Sequence, residues 1–235
     1  MRTCDPGRWV LFCAAALQCA CALTSKSEPM VPRYYSPEYR GGRSAATLPA
    51  SASVPATGLQ LRLGHIRGSS HLRERIVFRN ANGELGYYEE RRWTERPEDY
   101  LRRGLSRALF EERGLTRVVS GMAPTLELEL VEFEEIRGPA PKVRIEAVIV
   151  LHDQRVVQLE QTVRVERPVR AASDDARAGA VVRALAEALH AAVVQIADQV
   201  SARLGALPPP PESSTEQPVE ADQPESRGTP LTSKR

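Results

Sequence analysis

The chain has 235 residues, 42% of them hydrophobic, with 32 Lys and Arg against 30 Asp and Glu and a formal net charge of +2. A balance so close to neutral gives no electrostatic reason to propose a nucleic acid partner. All four cysteines (Cys4, Cys13, Cys19, Cys21) lie in the first 21 residues, so the body of the chain holds neither a disulfide framework nor a thiolate metal site.

The chain opens with Arg2 and Arg8, then runs apolar from about Trp9 to Ala22. A charged start before an apolar stretch of roughly 7–15 residues is the layout of a secretory signal. It falls short of the about 20 apolar residues that a membrane-spanning helix needs. The competing explanation is a buried N-terminal helix, which lacks an amphipathic period or a cap here. A lipoprotein signal peptidase cuts just before a cysteine at the end of such a run, and the freed residue carries acyl chains. Cys21, behind the small Ala20, fits that position; Cys19, behind Gln18, is the weaker candidate. The expectation is a signal peptide over 1–20 and lipidation at Cys21. Each buried methylene contributes about 0.8 kcal/mol and stable anchoring takes more than one chain, which a multiply acylated cysteine supplies. Ala22 stands where an Asp would favour inner-membrane retention, so the expected location is the outer membrane, on its periplasmic face.

Residues 21–57 are rich in Ser, Pro, Ala and Gly and read as a tether with one possible strand at "PRYYS". A folded domain is expected over 58–205. In "GLQLRLGHIR", Leu59, Leu61 and Leu63 alternate with polar residues, as in a half-buried strand. Ile76 to Phe78 and Leu85 to Tyr88 flank the Asn82-Gly83 turn signal and predict a hairpin. Pro97 starts a helix whose Tyr100, Leu101, Leu105, Ala108 and Leu109 share a face, and Gly114 is placed to end it. "TLELELVEF" alternates Leu126, Leu128 and Leu130, then changes phase at Val131 and Phe133, which predicts a bulge. "KVRIEAVIVLH" and "RVVQLEQTVRVER" predict two more strands with a tight turn at His152-Asp153-Gln154. A long helix from about Asp174 to Leu204 closes the domain, capped at Ser173, with a stripe of Leu185, Leu189, Ala192, Val193, Ile196, Val200 and Leu204. Residues 206–235 hold seven of the 18 prolines and too few large apolar residues to offset their ordering entropy, the composition of a disordered tail. The order strands, helix, strands, helix predicts an α+β two-layer sandwich. A mostly antiparallel sheet of about five to six strands would pack against two helices.

No catalytic constellation stands out: there is no Gly-x-Ser-x-Gly, phosphate-cradling Gly loop or His-Glu-x-x-His, so neither an enzyme nor a cofactor is expected. None of His65, His71, His152 and His190 lies four residues from another, so no metal is expected. Glu127, Glu129, Glu132, Glu134 and Glu135 could do acid–base work but are better explained as the solvated face of a strand. Trp93 has two explanations: a large side chain pinning the hairpin to the helix, or part of a partner-docking edge with Tyr87 and Tyr88.

Three stretches together resemble the ABC-type transport auxiliary lipoproteins, which accompany mammalian-cell-entry (MCE) lipid transport systems and include the lipoprotein of the paraquat-inducible operon. They are "CALTSKSEPMVPRYYSPE", a cysteine followed closely by a Tyr-rich strand; "LRERIVFRNANGELGYYEERRWTERPEDYLRRGLSRAL", with Leu72, Arg73, Arg75, Tyr88, Trp93 and Leu105 at the matching places; and the closing block of two strands and a long helix. Departures are Ser69-Ser70 where a Pro is usual, Gln18 at the cleavage site and the proline-rich tail. The resemblance implies a non-catalytic, membrane-anchored subunit whose partners are an MCE-domain protein and the ABC permease/ATPase complex, with assembly into homo-oligomers. The alternative is a carrier that itself holds a lipid between sheet and helices.

Overall fold

The computed structural model describes residues 30–37, 56–171 and 173–207. The expected signal peptide, Cys21, most of the tether and the proline-rich tail lie outside the described residues.

Eight strands form one sheet: β1 (Arg33–Tyr35), β2 (Gln60–Gly68), β3 (Arg75–Arg79), β4 (Leu85–Trp93), β5 (Thr116–Arg117), β6 (Thr125–Ile136), β7 (Lys142–His152) and β8 (Val157–Pro168). Two helices cover it, α1 (Pro97–Ser106) and α2 (Asp174–Gly205). The α+β class holds, with more strands than expected. The additions are β1, the possible strand of the tether, and β5, whose two residues are too short to show an alternation.

β6 is the axis of the sheet. One of its edges pairs antiparallel with β7, which pairs antiparallel with β8. Its other edge is shared end to end: β2 runs parallel along Thr125–Leu130, and β3 runs parallel along Glu134–Ile136. Between them the chain loops out over 69–74, held by Ser69 N–H donating to Leu130 O at 2.9 Å and by the buried Leu72. β3 turns back antiparallel into β4, and β1 adds to β4 in parallel. The long ladders are thus antiparallel, and the parallel pairings are short.

The phase change in β6 is a bulge. Leu130 pairs with Ala147 and Glu132 with Glu146, leaving Val131 as the extra residue. Leu126, Leu128 and Leu130 before it, and Phe133 after it, all face the helices and are buried. The alternation in β7 is equally regular: Val143, Ile145, Ala147, Ile149 and Leu151 are all fully buried. Against this face lies α2, with its whole stripe buried. Each large apolar side chain so buried contributes about 1.5–3 kcal/mol. Ala176–Gly205 is long and apolar enough to cross a membrane, with a mean hydropathy of 1.5, but 61% of that window is buried in the fold. The Ser173 side chain caps α2 by accepting from Ala176 N–H.

α1 begins at Pro97, with Glu98 and Asp99 in its first turn, and continues as a π-helix over Arg107–Glu112. The wider turn was not foreseen from the apolar spacing. Gly114, at φ 66°, ends it. α1 crosses α2 so closely at Gly104 that a Cβ there would sit 2.9 Å from Cγ2 of Val193. It also closes the outer edge of β2, where Arg102 donates to the carbonyls of Gly64 and Ile66.

Candidate functional site

The β3–β4 hairpin carries the two tyrosines singled out from the sequence. Gly83, at φ 86°, allows the turn; its N–H donates to Asn80 O, and Asn80 N–H donates to Glu84 O. The register sets Gly86 opposite Phe78 and Tyr87 opposite Val77, and Val77 in turn lies opposite Glu134. Neighbouring strand residues point to opposite faces. Tyr87 therefore stands on the open face of the sheet with 37% of its surface exposed. Tyr88 stands on the helix face, where its ring meets Phe78 edge to face at 5.5 Å. The guanidinium of Arg91 lies 4.8 Å from the Tyr88 ring centre, and that of Arg137 lies over both rings.

The Tyr88 hydroxyl donates to Oε2 of Glu135 at 2.7 Å. Glu135 is fully buried and is also held by Arg137, at 3.2 Å, and by Arg177 of α2, whose Nε donates at 2.8 Å. One carboxylate thus ties the hairpin, β6 and the start of α2 together. Burial, then the bond to Glu135, raises the Tyr88 phenol above its ordinary value of 10.0. Burial alone would lower the Arg177 pKa, but the Glu135 bond and charge outweigh it and raise it.

Glu134, also fully buried, points the other way and takes a two-pronged bond from Arg79, Nε at 2.7 Å and Nη2 at 3.1 Å. It starts a charged array across the open face. Arg144 reaches Glu132 at 3.4 Å and Glu166 at 2.8 Å, Lys142 reaches Glu166 at 2.6 Å, and Arg164 reaches Glu146 at 2.5 Å. The bond from Lys142 is the main cause of a lowered Glu166 pKa. The expectation of a wholly solvated acidic strand is corrected here: Glu134 and Glu135 lie inside, because arginines from β3, the segment after β6 and α2 neutralise them. Only Arg137, two residues from Glu135, is local to its carboxylate; Arg79 and Arg177 come from far along the chain.

Trp93 lies in the core, with 1% of its surface exposed. Its ring meets Phe133 at 5.5 Å and Tyr100 of α1 at 6.4 Å, both edge to face. The Tyr100 hydroxyl bonds Thr94 and accepts from Glu95 N–H. Trp93 therefore pins the hairpin to α1 and has no surface for a partner. The structure keeps Tyr87 as the exposed member of the three, leaves Tyr88 half-buried and withdraws Trp93. His190 is exposed beside an open recess of about 480 Å³ between α1 and α2, also lined by Tyr100, Arg103, Gly104 and Val193. Among the described residues, no group of three or more His, Cys, Asp or Glu could hold a metal ion.

The fold is similar to that of protein XCC0632 from Xanthomonas campestris, of family DUF330. That similarity has 24% identity and a TM-score of 0.55 over 73% of this chain and 99% of that one. It is also similar to an uncharacterized protein with 15% identity and a TM-score of 0.52, over 72% of this chain and 99% of that one. Curated proteins give no significant match. The family model of the ABC-type transport auxiliary lipoprotein component matches residues 44–197. That span takes in every strand except β1, all of α1 and most of α2, and with more than half of the chain matched, this protein belongs to the ABC-type transport auxiliary lipoprotein component family.

Proposed function

We propose that the protein is a non-catalytic docking subunit of an ABC-type MCE lipid transport system, held by acyl chains on Cys21 at the periplasmic face of the outer membrane. The observation that carries this reading is the family match over nearly the whole described domain. In this reading ATP hydrolysis and the lipid path belong to the permease/ATPase complex and to the MCE-domain protein. The auxiliary chain contributes a fixed position at the membrane and a contact surface, with Tyr87 as the exposed aromatic of that surface and Tyr88 placing the strand beneath it.

The alternative, a lipid held between sheet and helices, is disfavoured by packing. Ile145, Ala147, Ile149 and Leu151 of the sheet and Leu185, Ile196 and Val200 of α2 have no surface that a water-sized sphere could touch, and a close-packed interface of this kind has no room for an acyl chain. The recess beside His190 lies between the helices and opens to solvent, unlike a lipid pocket.

Crosslinking in intact envelopes followed by purification of this chain tests the reading. Recovery of an MCE-domain protein and permease subunits is expected; their absence, with the chain itself recovered, would refute docking. A Cys21→Ala variant is expected to leave the mature membrane fraction, appearing unprocessed or soluble.

A further inference from the structure

We propose that the β1 edge of the sheet is itself a bilayer contact: exposed apolar residues on and just before β1, and arginines on both faces of that edge that form no ion pair among the described residues, settle on an anionic lipid surface. This rests on the reading of Cys21 as the acylated residue.

Met30, Val31 and Tyr34 are 57%, 72% and 61% exposed, three of the eight large apolar residues that are exposed among the described residues, and the three lie within five positions of one another. They sit on or just before an edge strand whose far side has no partner strand among the described residues. Pairing sets Arg33 opposite Arg91, Tyr34 opposite Arg92, and Arg92 opposite Arg75. Like charges directly opposite each other across strands are destabilising unless something compensates them. Among the described residues, the side chains of Arg33, Arg75 and Arg92 form no hydrogen bond or ion pair. Glu74, Glu89 and Glu90 lie in the same segments and form no ion pair with them, and the arginines of the patch (with Arg73 and Arg91) outnumber these acids. The described open face farther along shows the opposite arrangement, with Arg79, Arg144, Lys142 and Arg164 each matched to a carboxylate. The arginines beside β1 thus differ from those of that array in lacking a carboxylate partner among the described residues.

The position of the patch decides its occupant. Only eight residues separate Cys21 from Met30, so a fully extended link spans about 30 Å. The acyl anchor would hold this edge near the bilayer at high effective concentration whatever else binds. Tyrosine favours the interfacial region, apolar side chains partition just beneath it, and arginines are drawn to anionic headgroups. An acidic protein partner would satisfy the charge but would have to compete with a surface that the tether never lets far away.

The test uses the full lipidated chain in vesicles, with Val31→Cys carrying a nitroxide label and Val119→Cys, in the loop before β6, as the distant control. In vesicles with 30 mol% anionic lipid, collisions of the Val31 label with a water-soluble nickel chelate are expected to fall about tenfold relative to zwitterionic vesicles, while the Val119 label stays accessible. The combined change Arg33→Gln, Arg75→Gln and Arg92→Gln is expected to restore chelate access at Val31 without lowering the melting midpoint, because it removes facing like charges. Equal chelate access at Val31 in both vesicle types overturns the proposal, as does protection that survives loss of the three arginines. So does protection that appears only on adding an envelope protein fraction. The mass of the purified chain reports acylation separately, so a missing anchor is distinguished from a bilayer contact that does not form.

Discussion

The Tyr88 hydroxyl lies 2.7 Å from Oε2 of Glu135, and through that carboxylate the hairpin is joined to Arg177 at the start of α2. Elements more than forty residues apart thus meet at one buried charge. Removing one partner of such a group leaves the others desolvated and unmatched, which costs about 3–5 kcal/mol at full burial. Arg137 and Arg177 keep roughly a third of their surface, so Glu135→Gln is expected to cost less, about 2–3 kcal/mol. Glu129→Gln, at an exposed position of the same strand, should stay within about 0.5 kcal/mol. Urea unfolding of the two variants side by side checks this; equal midpoints would remove Glu135 from its structural role.

Regular elements were legible where one face of a strand or helix meets the core throughout. β7 alternates without a break because β6 and β8 flank it on both edges. The stripe of α2 is readable because the sheet face and α1 together cover it along its length. Even the β6 bulge showed as a phase change at Val131. The buried carboxylates did not show, because the bulge decides which glutamate turns inward, and their arginines come from Arg79, Arg137 and Arg177, far apart in sequence. Trp93 was ambiguous for a related reason: only the register of β4 and the approach of Tyr100 decide whether an aromatic at a strand end is covered. That Tyr87 and Tyr88 face opposite sides follows from strand geometry alone, so the sequence already argued against one shared tyrosine surface.

Tyr88 also sets a limit at high pH. Its phenol is raised in the folded state, first by burial and then by Glu135. The folded chain therefore holds this proton more tightly than the unfolded chain. The contribution is fully present below about pH 10 and is lost as pH rises through the folded value. Wild-type stability is expected to fall above about pH 10, and Tyr88→Phe is expected to flatten that fall while lowering stability at neutral pH by about 1 kcal/mol. Parallel pH profiles for the two proteins would sink the assignment.

Glu166 gives the acid counterpart. Its pKa is lowered, chiefly by Lys142 and then by Arg144 against some burial. That stabilisation is present above the ordinary carboxylate value of 4.5 and is lost as pH falls through the lower folded value. The group is about a third exposed, so screening keeps the effect small, within about 1 kcal/mol. Glu166→Gln should make the acid side of the stability profile less steep, with the gap between the proteins closing at low pH.

Gly86 is required by Phe78. A Cβ at this position would overlap the Phe78 ring, which lies across the glycine and supports both Tyr88 and Arg137. Gly86→Ala is expected to cost about 1–3 kcal/mol through overpacking. Phe78→Leu combined with Gly86→Ala should recover part of that loss, because the smaller side chain vacates the contact. Additive losses in a double-mutant cycle would show that the two positions do not touch.

The docking proposed for Tyr87 and the packing of Trp93 can be separated. Tyr87 is the exposed aromatic of the hairpin and Trp93 is buried between Phe133 and Tyr100. Tyr87→Ala is expected to change the melting midpoint little while reducing crosslinked recovery of the transporter partners several-fold, as removal of an aromatic contact residue does. Trp93→Ala is expected to cost about 3–5 kcal/mol of stability, and its effect on partner recovery should track the fraction of folded protein. Plotting recovery against folded fraction for both variants separates the two roles: Trp93→Ala should fall on the line set by folding, and Tyr87→Ala well below it. A Tyr87→Ala point on that same line would mean that the partners are gripped elsewhere on the domain.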